Sequence, residues 1–103
     1  MISNFQNITV LGAGKSGVGA AILGIKQNLN VVVYNDSEIK DENIILLNKY
    51  GVKWHIQDYT SSDTLDNDLL VISPGILDNH PVIVHFKKKS TPVINEIEFT
   101  SYL

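Results

Sequence analysis

The chain has 103 residues, of which 44% are hydrophobic and 18% are charged, a composition typical of one globular domain. Its net charge is −3, whereas a nucleic-acid-binding domain usually has an excess of basic residues. The absence of cysteine excludes disulfides and thiolate metal sites. Residues 1–7 lack the regions of a signal peptide, and the longest apolar run, residues 18–25, is far too short to span a membrane, so we expect a cytoplasmic protein without membrane or nucleic-acid partners.

A glycine-rich motif follows the first predicted strand. Residues 8–11 read Ile-Thr-Val-Leu and predict a short buried strand, and residues 12–17 continue as Gly-Ala-Gly-Lys-Ser-Gly. Gly12 would let the chain turn sharply, Gly14 would let a ligand phosphate approach the backbone, and Gly17 would let the next helix pack closely on the strand. The start of that helix favours an anion, because its first N–H groups lack partners and its dipole is positive there. The motif therefore predicts a diphosphate site.

The motif has three other interpretations. The glycines could serve tight packing alone. The run Gly-Lys-Ser at residues 14–16 resembles the end of an ATP-binding P-loop, but that motif requires another glycine at position 9, where Thr9 stands inside the strand. We therefore reject a P-loop. A nicotinamide or flavin dinucleotide site uses the same glycines and stays open as an alternative.

The next elements lead to an acidic side chain. A helix is predicted over residues 16–27 from its apolar stripe, and the β-branched run within residues 30–34 predicts a strand buried on both faces. Asp36 lies 19 residues after Gly17, at the predicted carboxyl end of this strand. An acidic residue there binds ribose hydroxyls or accepts a hydrogen bond from a base N–H, and the alternative is an Asp that caps a turn or helix. No arginine follows Asp36, which disfavours a 2′-phosphate.

The middle of the chain predicts a helix, a weak strand and a loop. Residues 41–50 form the helix, with Asp41 as its cap. Three apolar side chains are expected on its inward face: Ile44, Ile45 and Leu47. Residues 52–54 form the weak strand, with Trp54 in the core. Residues 57–68 are polar and acidic, and they predict a solvated loop with a helical turn near residues 64–65 and no metal-binding pattern.

A strand over residues 69–72 runs into the turn Ser73-Pro74-Gly75-Ile76. Pro74 fixes its own φ and keeps Ser73 out of helical geometry, and Gly75 can then take a positive φ. The residue types support two interpretations equally: a turn that contacts a ligand, and a turn that only connects two elements. Residues 81–88 predict a short helix, and residues 92–94 predict a last strand. Three side chains of this helix are expected to face inward: Val82, Ile83 and Phe86.

Strand and helix alternate about five times, which predicts an α/β fold, a Rossmann-like doubly wound parallel sheet of five strands in the order 3-2-1-4-5. In that order the glycine turn at residues 12–17 lies beside the turn at residues 73–76, with Asp36 one strand over. Three separated stretches then converge on one crevice at the carboxyl edge of the sheet. This convergence predicts a nucleotide site.

Four stretches together resemble a known family: residues 10–17, Asp36-Ser37, residues 71–76, and residues 92–99 with their Glu-Ile-Glu-Phe ending. They closely resemble the start of the D-glutamate-adding Mur ligases of peptidoglycan synthesis, the UDP-N-acetylmuramoyl-L-alanine:D-glutamate ligases, and the resemblance covers nearly the whole chain. It implies a three-domain enzyme whose first domain holds the UDP of the substrate, whose central domain binds ATP and magnesium, and whose last domain helps bind the amino acid. The family activates the L-alanyl carboxylate as an acyl phosphate, which the amine of D-glutamate attacks.

The resemblance also implies residue roles. Lys15 and Ser16 would lie against the uracil and diphosphate, Asp36 and Ser37 would contact the uracil, and Gly75 would approach the diphosphate or sugar. The complete candidate UDP-binding set is Gly12, Gly14, Lys15, Ser16, Gly17, Asp36, Ser37, Ser73, Gly75 and Ile76. Glu38 stands where relatives have arginine, which leaves base stacking at that position unsupported.

By this interpretation residues 1–94 form the UDP-binding domain and residues 95–103 begin the connection to a missing central ATPase domain. The expected ligand is UDP-N-acetylmuramoyl-L-alanine, bound weakly by a monomer. ATP and Mg²⁺ belong to the full-length ligase, and no catalytic or metal-binding residue is assigned in these 103 residues, which are not expected to turn over. The alternatives are an NAD(P)-binding domain of an oxidoreductase or regulatory protein, a Mur ligase for another amino acid, and a plain interaction domain.

Overall fold

The computed structural model describes residues 4–103, so the first three residues of the segment considered for a signal peptide lie outside the described part. The elements within it are, in chain order, β1 (Asn7–Leu11), α1 (Lys15–Lys26), β2 (Asn30–Asn35), α2 (Asp41–Lys49), β3 (Lys53–Ile56), α3 (Ser62–Leu65), β4 (Leu69–Ile72), α4 (Pro81–Lys88), β5 (Val93–Asn95) and α5 (Glu96–Ser101). None of the helices in residues 4–103 is long and apolar enough to cross a membrane.

The five strands form one parallel sheet in the order β3-β2-β1-β4-β5, which confirms the predicted fold and strand order. β1 lies at the centre, where Val10 pairs with Val33 of β2 on one side and with Val71 of β4 on the other. All three valines are fully buried. Apolar runs of this kind suit strands that helices cover on both faces.

Helices cover the sheet on both faces. On one face α1, α2 and α5 enclose a core to which Leu47 and Phe99 contribute. On the other face α3 and α4 cover a second core, in which Phe86 packs with Leu11 and Tyr34. This arrangement is the doubly wound architecture, and it leaves the carboxyl ends of the strands at one open edge.

Two expectations about α2 are wrong. Lys40, not Asp41, is the N-cap, and Asp41 is the first helical residue. Ile45 is 67% exposed, because a residue two positions before the buried Leu47 lies on nearly the opposite side of a helix. Ile44 does pack against the core, as predicted.

The other elements agree with the sequence to within one or two residues. α3 supplies the predicted helical turn, and α4 begins at Pro81 and buries the three predicted side chains: Val82, Ile83 and Phe86. Trp54 is only partly buried, and its Nε1–H donates to Asn48 Oδ1 at 3.0 Å. Residues 96–101 form a helix that packs on α1.

Candidate functional site

The glycine turn lies between the ends of three neighbouring strands. Gly12 N–H donates to the Tyr34 carbonyl at the end of β2 at 2.8 Å, and Ser73 N–H donates to the Leu11 carbonyl of β1 at 3.0 Å. The turn at residues 12–17 therefore sits beside the turn at residues 73–76, at the point where the order of the strands reverses. The predicted juxtaposition of these two turns is confirmed.

Gly12 and Gly17 are glycines because the backbone packs closely there. Gly12 has a φ of +114°, and a Cβ built on it would lie 2.5 Å from Ser73 Oγ. A Cβ built on Gly17 would overlap the carbonyl oxygen of Gly12. Both the sharp turn and the close packing of α1 are thus as predicted.

Gly14 is different, because its surroundings within the domain do not demand a glycine. Its φ of −76° is ordinary, and within residues 4–103 a Cβ built there meets no heavy atom closer than 4 Å. Gly14 is the N-cap of α1, and Lys15 and Ser16 beside it are exposed. Only residues 12–14 connect β1 to α1, which is too short for a P-loop and agrees with its rejection.

A cleft of about 630 Å³ opens on the α2 side of the glycine turn. Its lining residues are Ala13, Gly14, Lys15, Asn35, Glu38, Ile39, Lys40, Glu42, Asn43 and Leu46. Two side-chain amides hold the turn from this side: Ala13 N–H donates to Asn35 Oδ1 at 2.9 Å, and Asn43 Nδ2 donates to the Ala13 carbonyl at 3.2 Å. Sequence reasoning missed both asparagines, although Asn35 directly precedes Asp36 at the end of a strand.

A second depression, of about 420 Å³, lies on the other side of the end of β2. Its lining residues are Asp36, Gly75, Ile76, Leu77, Asn79, His80 and Pro81. Gly75 has a φ of +87°, as predicted, and Ile76 N–H approaches the Ser73 carbonyl at 3.4 Å to close the turn. Five candidate residues line these two adjacent depressions rather than one cavity: Gly14 and Lys15 line the cleft, and Asp36, Gly75 and Ile76 line the second depression. We call the two depressions and the glycine turn between them the crevice.

Asp36 meets a partner that the sequence analysis did not identify. His80 Nε2 lies 2.8 Å and 3.0 Å from the two carboxylate oxygens of Asp36, although 44 residues separate the pair. The ring of Tyr34 lies edge-on to His80, with the ring centroids 6.3 Å apart. Burial raises the pKa of the Tyr34 hydroxyl, and the charge of Asp36 raises it further. Tyr34 therefore stays protonated near neutral pH.

The remaining candidates form the wall and rim of the crevice. The Ser73 hydroxyl donates to Glu96 Oε2 at 2.6 Å, so this side chain points behind the glycine turn. Ser37 is exposed, and its carbonyl accepts a hydrogen bond from Asn35 Nδ2 at 2.8 Å. Gly12, Gly17 and Ser73 shape the crevice, whereas Gly14, Lys15, Asp36, Gly75 and Ile76 line its open parts.

A doubly wound sheet with a glycine turn at its switch point defines the class of Rossmann-like domains. Within that class, the family model described as "Mur ligase MurD-like, N-terminal domain" matches residues 6–95. The chain belongs to this family, as the resemblance of its motifs indicated.

Curated relatives agree with this membership. The UDP-N-acetylmuramoylalanine–D-glutamate ligase of Christiangramia forsetii is 38% identical over 97 residues, which are 94% of this chain and 22% of the relative. The enzyme of the same name from Bacteroides fragilis is 40% identical over 94 residues, 91% of this chain and 21% of the relative. The chain thus spans about a fifth of the length of the curated relatives it matches.

Solved structures show the same fold. The UDP-N-acetylmuramate-alanine ligase of Thermotoga maritima superposes with a TM-score of 0.76 at 24% identity, over 91% of this chain and 21% of that structure. The UDP-N-acetylmuramate:L-alanyl-gamma-D-glutamyl-meso-diaminopimelate ligase of Neisseria meningitides superposes with a TM-score of 0.81 at 18% identity, over 95% and 31%. A saccharopine dehydrogenase from Saccharomyces cerevisiae, with a TM-score of 0.54 at 23% identity over 87% and 21%, shares the basic fold.

Proposed function

We propose that this domain holds the UDP part of UDP-N-acetylmuramoyl-L-alanine for a cytoplasmic ligase of peptidoglycan synthesis. The main support for this proposal is that the glycine turn, Asp36 and the turn at residues 73–76 converge at the switch point of the sheet. Family membership supports the choice of ligand, because the relatives are named as ligases that join D-glutamate to UDP-N-acetylmuramoylalanine.

The chemistry of the crevice supports a placement for each part of the ligand. The diphosphate belongs at the start of α1, where the first N–H groups have no intrahelical partners and where the helix dipole and Lys15 favour negative charge. Gly14 leaves the backbone open to its approach. The uracil belongs toward Asp36 and Ser37, where a carboxylate accepts a hydrogen bond from the base. The sugar then extends toward Gly75.

The ligation itself requires groups that this domain does not carry in our proposal. ATP and Mg²⁺ belong to a central domain, where transfer of a phosphoryl group turns the L-alanyl carboxylate into an acyl phosphate with a good leaving group. The amine of D-glutamate would then attack the acyl carbon, and inorganic phosphate would leave as the amide bond forms. The 103 residues contain no Gly-Lys-Thr/Ser sequence in a P-loop context, and we propose that they bind the uridine nucleotide without hydrolysing ATP. We further propose that they do so as a monomer.

The competing function is binding of a nicotinamide dinucleotide, which uses the same fold, glycines and acidic residue. An amide-shift NMR titration of the chain with UDP-N-acetylmuramoyl-L-alanine, run beside one with NAD, separates the two. We expect shifts at residues 12–17, 36–37 and 73–76 with the uridine ligand and none with NAD. The reverse pattern would replace the ligase interpretation with a dinucleotide-binding domain.

A further inference from the structure

One contact in the second depression has no role in the function proposed so far. The Asp36 side chain is 59% exposed, yet both of its oxygens lie within 3.0 Å of His80 Nε2. The His80 side chain is only 11% exposed. A mostly buried ring thus holds a largely solvent-facing carboxylate at the mouth of the crevice.

The hydrogen bonds around His80 determine which ring nitrogen carries the proton. His80 is the N-cap of α4, and Val82 N–H donates to its Nδ1 at 3.1 Å. Nδ1 is therefore an acceptor without a proton, and in the neutral ring Nε2 carries it. His80 then donates through Nε2–H to Asp36, so the start of α4 sets both the orientation and the tautomer of the ring.

From this geometry we infer that His80 is a positioning residue for recognition of the base: it holds the Asp36 carboxylate so that its remaining lone pairs accept the N3–H of uracil. A carboxylate has about four acceptor positions, and His80 occupies those on one side. Without that partner the exposed side chain would sample several rotamers, and fixing one of them would weaken binding. The inference rests on the proposed binding of a uridine nucleotide.

This role also predicts which base the site prefers. A carboxylate only accepts hydrogen bonds, and uracil presents a donor at N3 where cytosine presents an acceptor. A cytidine nucleotide would therefore place an unpaired acceptor against a negative charge, and sites built around one hydrogen bond discriminate strongly against such analogues. The preference for UDP over CDP reports whether Asp36 is held in place.

Two variants separate the cap of α4 from the contact with Asp36. In His80→Asn the side-chain oxygen can still cap the helix, because asparagine is a good N-cap, but its amide does not reach as far as Nε2. In His80→Gln the longer amide can donate to Asp36, while the cap is lost. We expect His80→Asn to keep its Tm and to weaken UDP binding about fivefold, with a similar loss of preference over CDP.

The matched variant should behave in the opposite way. We expect His80→Gln to keep the affinity and the preference for UDP, while its Tm falls by about 4 °C through loss of the cap. Calorimetric titration of the 103-residue chain with UDP and with CDP, beside thermal unfolding, measures all four quantities. If UDP affinity falls only in the variant whose Tm falls, His80 has a merely structural role and the inference is overturned.

The variant Asp36→Ala distinguishes the two levels of the argument. The inference stands if three results agree: the unaltered chain binds UDP, Asp36→Ala weakens that binding, and His80→Asn weakens it only in a chain that keeps Asp36. If Asp36→Ala weakens UDP binding and His80→Asn does not, the inference fails while the proposed function stands. If the unaltered chain does not bind UDP at millimolar concentration, both are overturned.

Discussion

The Ser73 hydroxyl donates a hydrogen bond to the carboxylate of Glu96, with Oγ and Oε2 2.6 Å apart. Glu96 is 7% exposed at the first position of α5, and the Ser73 side chain fills the space beside Gly12. The pair therefore connects the turn after β4 to the helix after β5, directly behind the glycine turn. A buried carboxylate needs such a donor, because an unsatisfied charged group is costly.

Replacing Ser73 with alanine tests this connection. The change leaves Glu96 buried with one donor fewer, and we expect the free energy of unfolding to fall by about 2 kcal/mol. Urea denaturation at pH 7 measures the effect. Ser62→Ala, at an exposed position of α3, is the control and should change stability by less than about 0.5 kcal/mol. Equal stabilities of the two variants would contradict a stabilising role for the pair.

Two glycines of α1 should respond in opposite directions to the same substitution. Gly17→Ala forces a methyl group into the Gly12 carbonyl, and we expect a loss of about 3 kcal/mol or more. Gly19→Ala places its methyl where no atom of residues 4–103 lies within 4 Å, and a helical alanine is about 0.5–1 kcal/mol better than glycine. Thermal unfolding measures the stability of both variants. A Gly17→Ala variant as stable as the unaltered chain would show that the glycine turn can move to accommodate the methyl group.

Gly14→Ala should separate binding from folding. The added methyl group fits the domain, so stability should change by less than about 1 kcal/mol. It would occupy the space that we assign to the diphosphate, and we expect affinity for UDP to fall about tenfold or more. Titration calorimetry beside thermal unfolding provides both readouts. Undiminished affinity would move the diphosphate away from this turn.

Asp58 supplies a test through its pKa. Thr60 donates to Asp58 Oδ1 from its hydroxyl at 2.6 Å and from its N–H at 3.1 Å, and these bonds lower the pKa of the Asp58 carboxyl. We expect Thr60→Val to raise that pKa toward the ordinary value of about 3.9, whereas Thr60→Ser keeps the hydroxyl and the lowered value. Carboxyl chemical shifts followed through an acid titration measure the pKa of each variant.

The same pKa has a consequence for stability. A carboxyl whose pKa is lowered by folding contributes stability above its ordinary pKa of about 3.9, and the contribution is lost as the pH falls through the lowered value. The acid-induced loss should therefore be smaller in Thr60→Val than in Thr60→Ser. A pKa that is unchanged by Thr60→Val would assign the shift to the backbone N–H.

The fold was predictable because its signals are local. The apolar runs of β1, β2 and β4 each identify a buried strand, and the glycine motif identifies the first crossover. Ile45 shows where this fails: an apolar residue within a helical pattern is exposed here because only neighbouring tertiary structure decides which stripe is covered.

The site was only partly predictable, since its side-chain partners depend on loop conformation. Asp36 and Gly75 follow from their places at the ends of strands. The contact between Asp36 and His80 depends on the path of residues 73–80, and no short-range pattern encodes that path. Pro81 suits the first position of a helix, which places His80 at the N-cap. The sequence could therefore indicate the position of His80 at the start of α4, but not its contact with Asp36.

The central position of β1 has a kinetic consequence. β1 pairs with β2 at a separation of 23 residues and with β4 at a separation of 61. Closing the longer loop costs more chain entropy, and distant pairings of this kind slow folding. We therefore expect the β1–α1–β2 unit to assemble before β4 docks. The glycine turn would then exist before the turn at residues 73–76 reaches it, so the crevice would be among the last parts of the native state to form.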